Sequence, residues 1–272
     1  MVRLATWNVN SIRARIGRLA SWLERSDVDV LAVQETKCRD DQFPLEPLEA
    51  VGYEVAHHGL SARNGVAVIS RVGLDDVEVG FPDQPGWGEP LAAEPRAIGA
   101  TCGGVRVWSL YVPNGRTLDD PHYLYKLDWL ARLRTAAHGW LVADPTAQIA
   151  LTGDWNIAPF DEDVWDMEKF RHSTHVSPPE REAFQAIVDA GYADVVRPHA
   201  PGPDTFTYWD YTRLRFPRRE GMRIDFALCS PALATRVVGA EIDRQERKGK
   251  GASDHAPVIV QVEDDRAGSP RR

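Results

Sequence analysis

The chain has only three cysteines in 272 residues, Cys38, Cys102 and Cys229, widely spaced and without a C-x-x-C pair. That excludes a disulfide framework and points to a reducing compartment, the cytosol. The three thiols read as small buried hydrophobes. No apolar run approaches the roughly 20 residues of a membrane span, so no membrane partner is expected. The start, Met1 to Thr6, lacks the basic and apolar regions of a signal peptide. Positive charge is scarce as well: 32 Lys and Arg stand against 40 Asp and Glu, a net −8. Taken alone, this speaks against a nucleic-acid partner, but local basic patches count for more than the total. Two such patches exist. One holds Arg213, Arg215, Arg218, Arg219 and Arg223; the other holds Arg244, Arg247, Lys248 and Lys250. There is no internal repeat and no composition break deep enough for a linker.

What is present is an ordinary globular composition, 43% hydrophobic and 26% charged, long enough to bury a large core. Residues 1–263 are expected to form one domain, followed by a polar, mobile tail over 264–272. Strands are expected at Val2–Trp7, Val28–Val33, Gly65–Ser70, Leu74–Val79, Gln148–Thr152, Ile224–Leu228, Val237–Glu241 and Pro257–Val262. Ile98–Thr101 and Val105–Val112 should pair over Gly103-Gly104. Helical spacing predicts helices over Ser11–Ser26 and about Pro121–Ala137, and Ser177-Pro178 should open a third. Phe81–Pro95, rich in proline, reads as a loop, and so do His57-His58. Single helices among strands suggest α/β layers with mixed sheets.

Six islands end these apolar runs with residues able to hold a phosphate and a metal. They begin at Thr6, Gln34, Tyr111, Gly153, Arg223 and Ser253. Asn8 and Glu35, one neutral oxygen ligand and one carboxylate, suit the habits of Mg²⁺. Asp154 follows a glycine and could orient and deprotonate a water or bind metal, and Asn156 could give donors to a phosphate oxygen. Asp225 sits in an apolar strand, where an ionised carboxylate needs a partner. His255 is the natural one: a carboxylate on one ring nitrogen would leave the other to face a phosphate. Tyr111 and Asn114 could stabilise extra charge in a transition state. His172 and His175 lack the partners of a zinc site. Together the islands are the parts list of a metal-assisted phosphodiesterase.

From Val2 to Val262 the chain resembles the exonuclease III family of class II abasic-site endonucleases. The resemblance rests on Trp7-Asn8-Val9-Asn10, Gln34-Glu35-x-Lys37, Gly153-Asp154-Trp155-Asn156-Ile157-Ala158-Pro159, Arg223-Ile224-Asp225 and Ser253-Asp254-His255-Ala256-Pro257, all in order. It implies a four-layer α/β sandwich, two packed mixed sheets flanked by helices. It implies Mg²⁺ or Mn²⁺ near Asn8 and Glu35, with Asp254 close by and Asp154 and Asn156 also in the metal set. Tyr111, Asn114, Asn156 and His255 would contact phosphate, with Lys37 beside them, and Asp225 would orient His255. Asp154, hydroxide on the ion and the Asp225–His255 pair all stay open as the base. The implied substrate is double-stranded DNA with abasic sites or 3′ ends. It would be cut 5′ to the lesion, with 3′–5′ exonuclease and 3′-phosphodiesterase action, by a monomer in the cytoplasm at the nucleoid. Tyr208, Trp209, Met222, Arg223 and Ile224 match the pocket for an extrahelical sugar. Relatives often carry Trp or Phe where Tyr208 stands and Trp or Leu where Met222 stands. Another phosphodiesterase of the same fold, or a non-catalytic nucleic-acid-binding relative, is the alternative.

Overall fold

The computed structural model describes residues 1–264, so all of the tail expected over 264–272 except Asp264 lies outside the described residues. Along the chain come β1 (Val2–Asn8), α1 (Ile12–Ser26), β2 (Val30–Gln34), α2 (Glu46–Glu49), β3 (Glu54–His58), β4 (Val66–Ser70) and β5 (Asp75–Val79). Next are β6 (Gly86–Trp87), β7 (Ala92–Ala93), β8 (Ala97–Cys102), β9 (Val105–Tyr111), α3 (Pro121–Ala143) and β10 (Ile149–Asp154). The chain continues with α4 (Met167–Phe170), α5 (Pro178–Asp189), β11 (Ala193–Asp194), β12 (Asp225–Cys229), α6 (Pro231–Ala234), β13 (Val237–Ile242) and β14 (Val258–Val262).

Two six-stranded mixed sheets carry the fold. One has the order β13-β14-β1-β2-β4-β3 and the other β11-β12-β10-β9-β8-β5. Parallel pairing occurs once in each sheet, at β1/β2 and at β9/β10. Their inner faces share one apolar cluster: Leu4, Val30, Ala32, Val66 and Val68 from the first sheet meet Ile98, Ala100, Val107, Ala150 and Ala227 from the second. The outer face of the first sheet is covered by α1 through Ile12, Leu19, Trp22 and Leu23. The second is covered by α3 and α5 through Trp129, Leu130, Leu133, Phe184 and Ile187. Helix, sheet, sheet, helix is the expected four-layer sandwich. It follows from strands that are apolar on both faces, since each sheet must be covered twice.

Three local expectations need correction. His57 and His58 belong to edge strand β3, paired with Ala67 and Val66, and not to a loop. Their polar side chains hid an edge strand, which needs only one covered face. The Phe81–Pro95 segment contains the two-residue pairing β6/β7. Helix α3 runs to Ala143, six residues past the expected end. Trp140 stacks on Trp108 of β9 at 5.0 Å and 11°, and this tertiary contact outweighs the weak helical signal of His138-Gly139.

Candidate active site

The strand ends build the site. On the second sheet, register places Asp154 opposite Tyr111 of β9 on one side and opposite Asp225 of β12 on the other. On the first sheet, Asn8 ends β1 opposite Gln34 of β2. Because β1 and β2 run parallel, as do β9 and β10, their carboxyl ends gather at one rim. Glu35 leaves β2 with φ at +55° and Asn156 leaves β10 with φ at +50°, so both loops turn abruptly at the rim. The 253–255 loop is tied to β1: Ser253 Oγ donates to the Asn8 carbonyl at 2.7 Å, and Trp7 Nε1 donates to the His255 carbonyl at 3.1 Å.

Asn8 is buried between two acids, its Nδ2 donating to Glu35 Oε1 and to Asp154 Oδ2, both at 2.9 Å. Its Oδ1 accepts the Asn10 N–H at 3.0 Å. Asn8, expected as an oxygen ligand to an ion, stands here as a donor bridging two carboxylates. Glu35 Oε2 lies 2.7 Å from Lys37 Nζ. Burial alone would raise the Glu35 carboxyl, but Lys37 and Asn8 hold it below its ordinary value. Asp254, half-buried, accepts from Asn10 Nδ2 at 3.1 Å.

Asp154 is pushed up to about 7, first by burial and further by the neighbouring Asp225 and Glu35 carboxylates, against the pull of His255. His255 Nδ1 lies 2.8 Å from Asp225 Oδ2, and its Nε2 lies 3.7 Å from Asp154 Oδ2. Burial would discharge this imidazole, yet Asp225 and Asp154 outweigh it and push it up to about 10. Asp225 Oδ1 is buried without a hydrogen-bond partner. The Tyr111 hydroxyl is driven well above its ordinary value by burial and by Glu35, so it stays a neutral donor.

The donor set suits a hard divalent cation. Glu35 and Asp154 converge on one amide nitrogen, and burial, with the nearby Asp225 and Glu35 carboxylates adding to it, raises Asp154, so a cation between them would relieve both acids. Asp154, Asp225 and His255 also offer ligand atoms within 4.8 Å of one another. His255 and Asp225 are already bonded together, so the Glu35 side fits an ion better.

Asn114 and Asn156 meet at the same rim, Asn114 Nδ2 donating to Asn156 Oδ1 at 3.1 Å. Asn156 Nδ2 donates to the Val112 carbonyl at 3.0 Å. His175 Nε2 lies 3.1 Å from Asn156 Oδ1 and 3.3 Å from Asn114 Nδ2. Sequence reasoning missed His175 and Asn10. Asn10 lay inside a quoted motif, but nothing in the spacing of His175 pointed to the site.

Tyr208 and Met222 line a cavity of about 180 Å³ with Trp165, Phe170, Asp210, Arg215 and Glu220. The Tyr208 ring is 4.9 Å from that of His255. Ile224 is buried beneath, in one cluster with Met222 and Tyr208. Two expected substrate contacts need correction. Trp209 is buried, packing on Phe206, Ala256 and Phe216. Arg223 is fully buried, its guanidinium held by Asp163 at 2.6 Å and Asp194 at 2.5 Å. An arginine so enclosed is a structural cation with no face left for DNA.

The sequence profile of the endonuclease/exonuclease/phosphatase family matches residues 5–255, and the chain belongs to that family. It is 30% identical to exodeoxyribonuclease III of Haemophilus influenzae, over 94% of this chain and 98% of that one. Among solved structures it is similar to the 3′ phosphatase NExo from Neisseria bound to a product DNA hairpin. That likeness has a TM-score of 0.91 and 35% identity, covering 97% of this chain and 100% of that chain. An AP endonuclease from Archaeoglobus fulgidus gives 0.90 and 34%, with 97% and 100% covered. Within the family, the chain is a DNA-repair nuclease of the exonuclease III and AP endonuclease type.

Proposed function

We propose that this nuclease uses Mg²⁺ or Mn²⁺ to hydrolyse phosphoesters of duplex DNA, cutting 5′ to abasic sites and clearing 3′ ends. The observation that carries the reading is the buried trio of Asp154, His255 and Asp225 facing Glu35 across the two sheets. When bound beside Glu35, the ion would withdraw charge from a phosphate oxygen. Asp154, at about 7, is matched to taking a proton from the attacking water near neutral pH. His255, held cationic by Asp225 and with its Nε2 3.7 Å from Asp154, would meet a phosphate oxygen with Nε2. Asn114, Asn156 and the neutral Tyr111 hydroxyl donate to the remaining oxygens. Tyr208 and Met222 would wall the site of an extrahelical sugar. One domain over 1–263, acting as a monomer in the cytoplasm, completes the reading.

The test is cleavage of three duplexes, one with an abasic-site analogue, one with a 3′-phosphate and one undamaged, in Mg²⁺ and in EDTA. The expected products are a single Mg²⁺-dependent cut 5′ to the lesion and loss of the 3′-phosphate. Folded protein that acts on neither damaged duplex would overturn the reading. In the same assay Glu35→Ala should raise the Mg²⁺ concentration needed for half-maximal rate at least about tenfold. An unchanged titration moves the ion elsewhere.

One observation favours a narrower reading, in which 3′-phosphate removal dominates and abasic incision is slow. The His175 ring lies against both phosphate-facing amides, and the similar Neisseria enzyme is a 3′ phosphatase. The ratio of the two rates decides between the readings.

A further inference from the structure

Helices α3 and α5 bury a lysine and a glutamate together behind the site, and neither has any exposed side-chain surface. Lys126 Nζ donates to Glu180 Oε1 at 2.5 Å, to the Asn156 carbonyl at 2.7 Å and to the Asn114 carbonyl at 3.2 Å. An ammonium has three N–H groups, and all three are accounted for. Glu180 Oε1 also accepts the His175 N–H at 2.9 Å, while Oε2 accepts the Ser177 N–H at 3.2 Å and its hydroxyl at 2.5 Å. The Tyr123 hydroxyl closes the network on Ser177 Oγ at 2.6 Å.

A glutamate three residues after a serine N-cap ordinarily needs only to cap the helix, at the surface. Burying it with a lysine is costly, and a buried ion pair is often no more stable than apolar residues of the same volume. Stability alone therefore does not account for it. Its ammonium does something an apolar pair does not: it grips the backbone carbonyls of the two residues whose amides face the phosphate. Those amides have little freedom left. Asn156 Oδ1 is taken by Asn114, and one of its two amide hydrogens goes to Val112. Asn114 Oδ1 is taken by the Arg116 N–H. One Asn156 N–H is not taken up by Val112, the Asn114 amide also lies 3.3 Å from His175 Nε2, and where these groups point depends on where Lys126 holds the backbone.

We propose that the buried Lys126–Glu180 pair is a positioning device that fixes the register of the Asn114 and Asn156 amides for the phosphate in flight. This rests on the proposed function for its catalytic consequence, though not for the geometry itself. Burial lowers Lys126, opposed by Glu180, and the ammonium in turn outweighs burial to keep Glu180 below its ordinary range.

The test is the double variant K126M/E180M, which fills the volume and removes the tether, with Lys126→Arg as the conservative rescue. On the 3′-phosphate duplex, kcat should fall about 100-fold while KM for DNA changes little, because misplacement of about 1 Å costs that much in rate. Lys126→Arg should recover part of it. If the double variant does not fold, Glu180→Gln carries the same measurements. A folded variant with wild-type kcat, or one whose kcat and KM worsen together in step with its melting temperature, would overturn the inference. The second readout is nitrogen-15 relaxation of the Asn114 and Asn156 side-chain amides. They should be ordered in the wild type and motionally averaged in the variant, and unchanged order would also overturn it. Wild-type protein that cleaves neither damaged duplex would defeat the proposed function, and the amide readout would still judge the positioning role.

Discussion

Asp154 concentrates the chemistry of the site in one side chain. It touches the Asn8 amide, accepts the Asn156 N–H at 2.9 Å and lies beside His255. Asp154→Asn should lower cleavage of the damaged duplexes by about 100-fold or more, with DNA affinity kept. Comparing single-turnover rates with binding isotherms checks this, and near-normal turnover would remove Asp154 from its role. The two raised groups also set the pH dependence of stability in EDTA. Asp154 rises from 3.8 to about 7, so the stability from its extra proton is complete below pH 3.8 and is lost as pH climbs through 7. His255 rises from 6.5 to about 10, so its contribution is complete below pH 6.5 and is lost as pH climbs through 10. The melting temperature should therefore fall between pH 7 and about 10, and His255→Gln should flatten that limb. A wild-type curve already flat there would contradict the imidazolium. At this scale the motifs made Asp154, Asp225 and His255 legible. Arg223 was misread because its partners, Asp163 and Asp194, lie 60 and 29 residues away in sequence.

Among the elements, β10 shows how a strand end is sharpened into a site. Gly153 has φ at +150°, and a Cβ there would sit 1.9 Å from the Leu110 carbonyl oxygen of β9. That neighbour is backbone inside a parallel ladder and cannot yield. Gly153→Ala should cost about 3 kcal/mol or more, measured by urea unfolding, and should lower activity through Asp154 even in the folded fraction. A variant of wild-type stability would show that the strands can part without penalty. The hairpin over Gly103-Gly104 was legible because both glycines take positive φ, at +55° and +82°. The length of α3 was not, because Trp140 finds Trp108 only after the sheet exists.

In the whole molecule, an acidic chain presents basic side chains around an acidic site. Arg213 and Arg219 are exposed, whereas Arg215 and Arg218 are both bound to Glu220. DNA affinity should fall linearly with salt on logarithmic axes, and removing Arg213 or Arg219 should each reduce the slope by about 1. Arg215→Ala should change the slope less, since its charge is already paired. Slopes untouched by Arg213→Ala and Arg219→Ala would place the DNA on another face. No helix among the described residues is long and apolar enough to cross a membrane.

The sequence by itself determined most of the strands, the presence of the covering helices, the order of the motifs and the chemical types at the rim. These are written in short-range periodicity and in residues that are costly to bury without a partner. Only the tertiary structure decided the pairings: Asn8 as a donor between two acids, His175 against two amides, Arg223 locked away from solvent and Lys126 with Glu180 beneath the site. Each joins residues distant in sequence whose mutual geometry is set when two sheets close face to face. The physical reason is that a side chain's charge and hydrogen bonds are fixed by its neighbours in space, and local sequence names none of them.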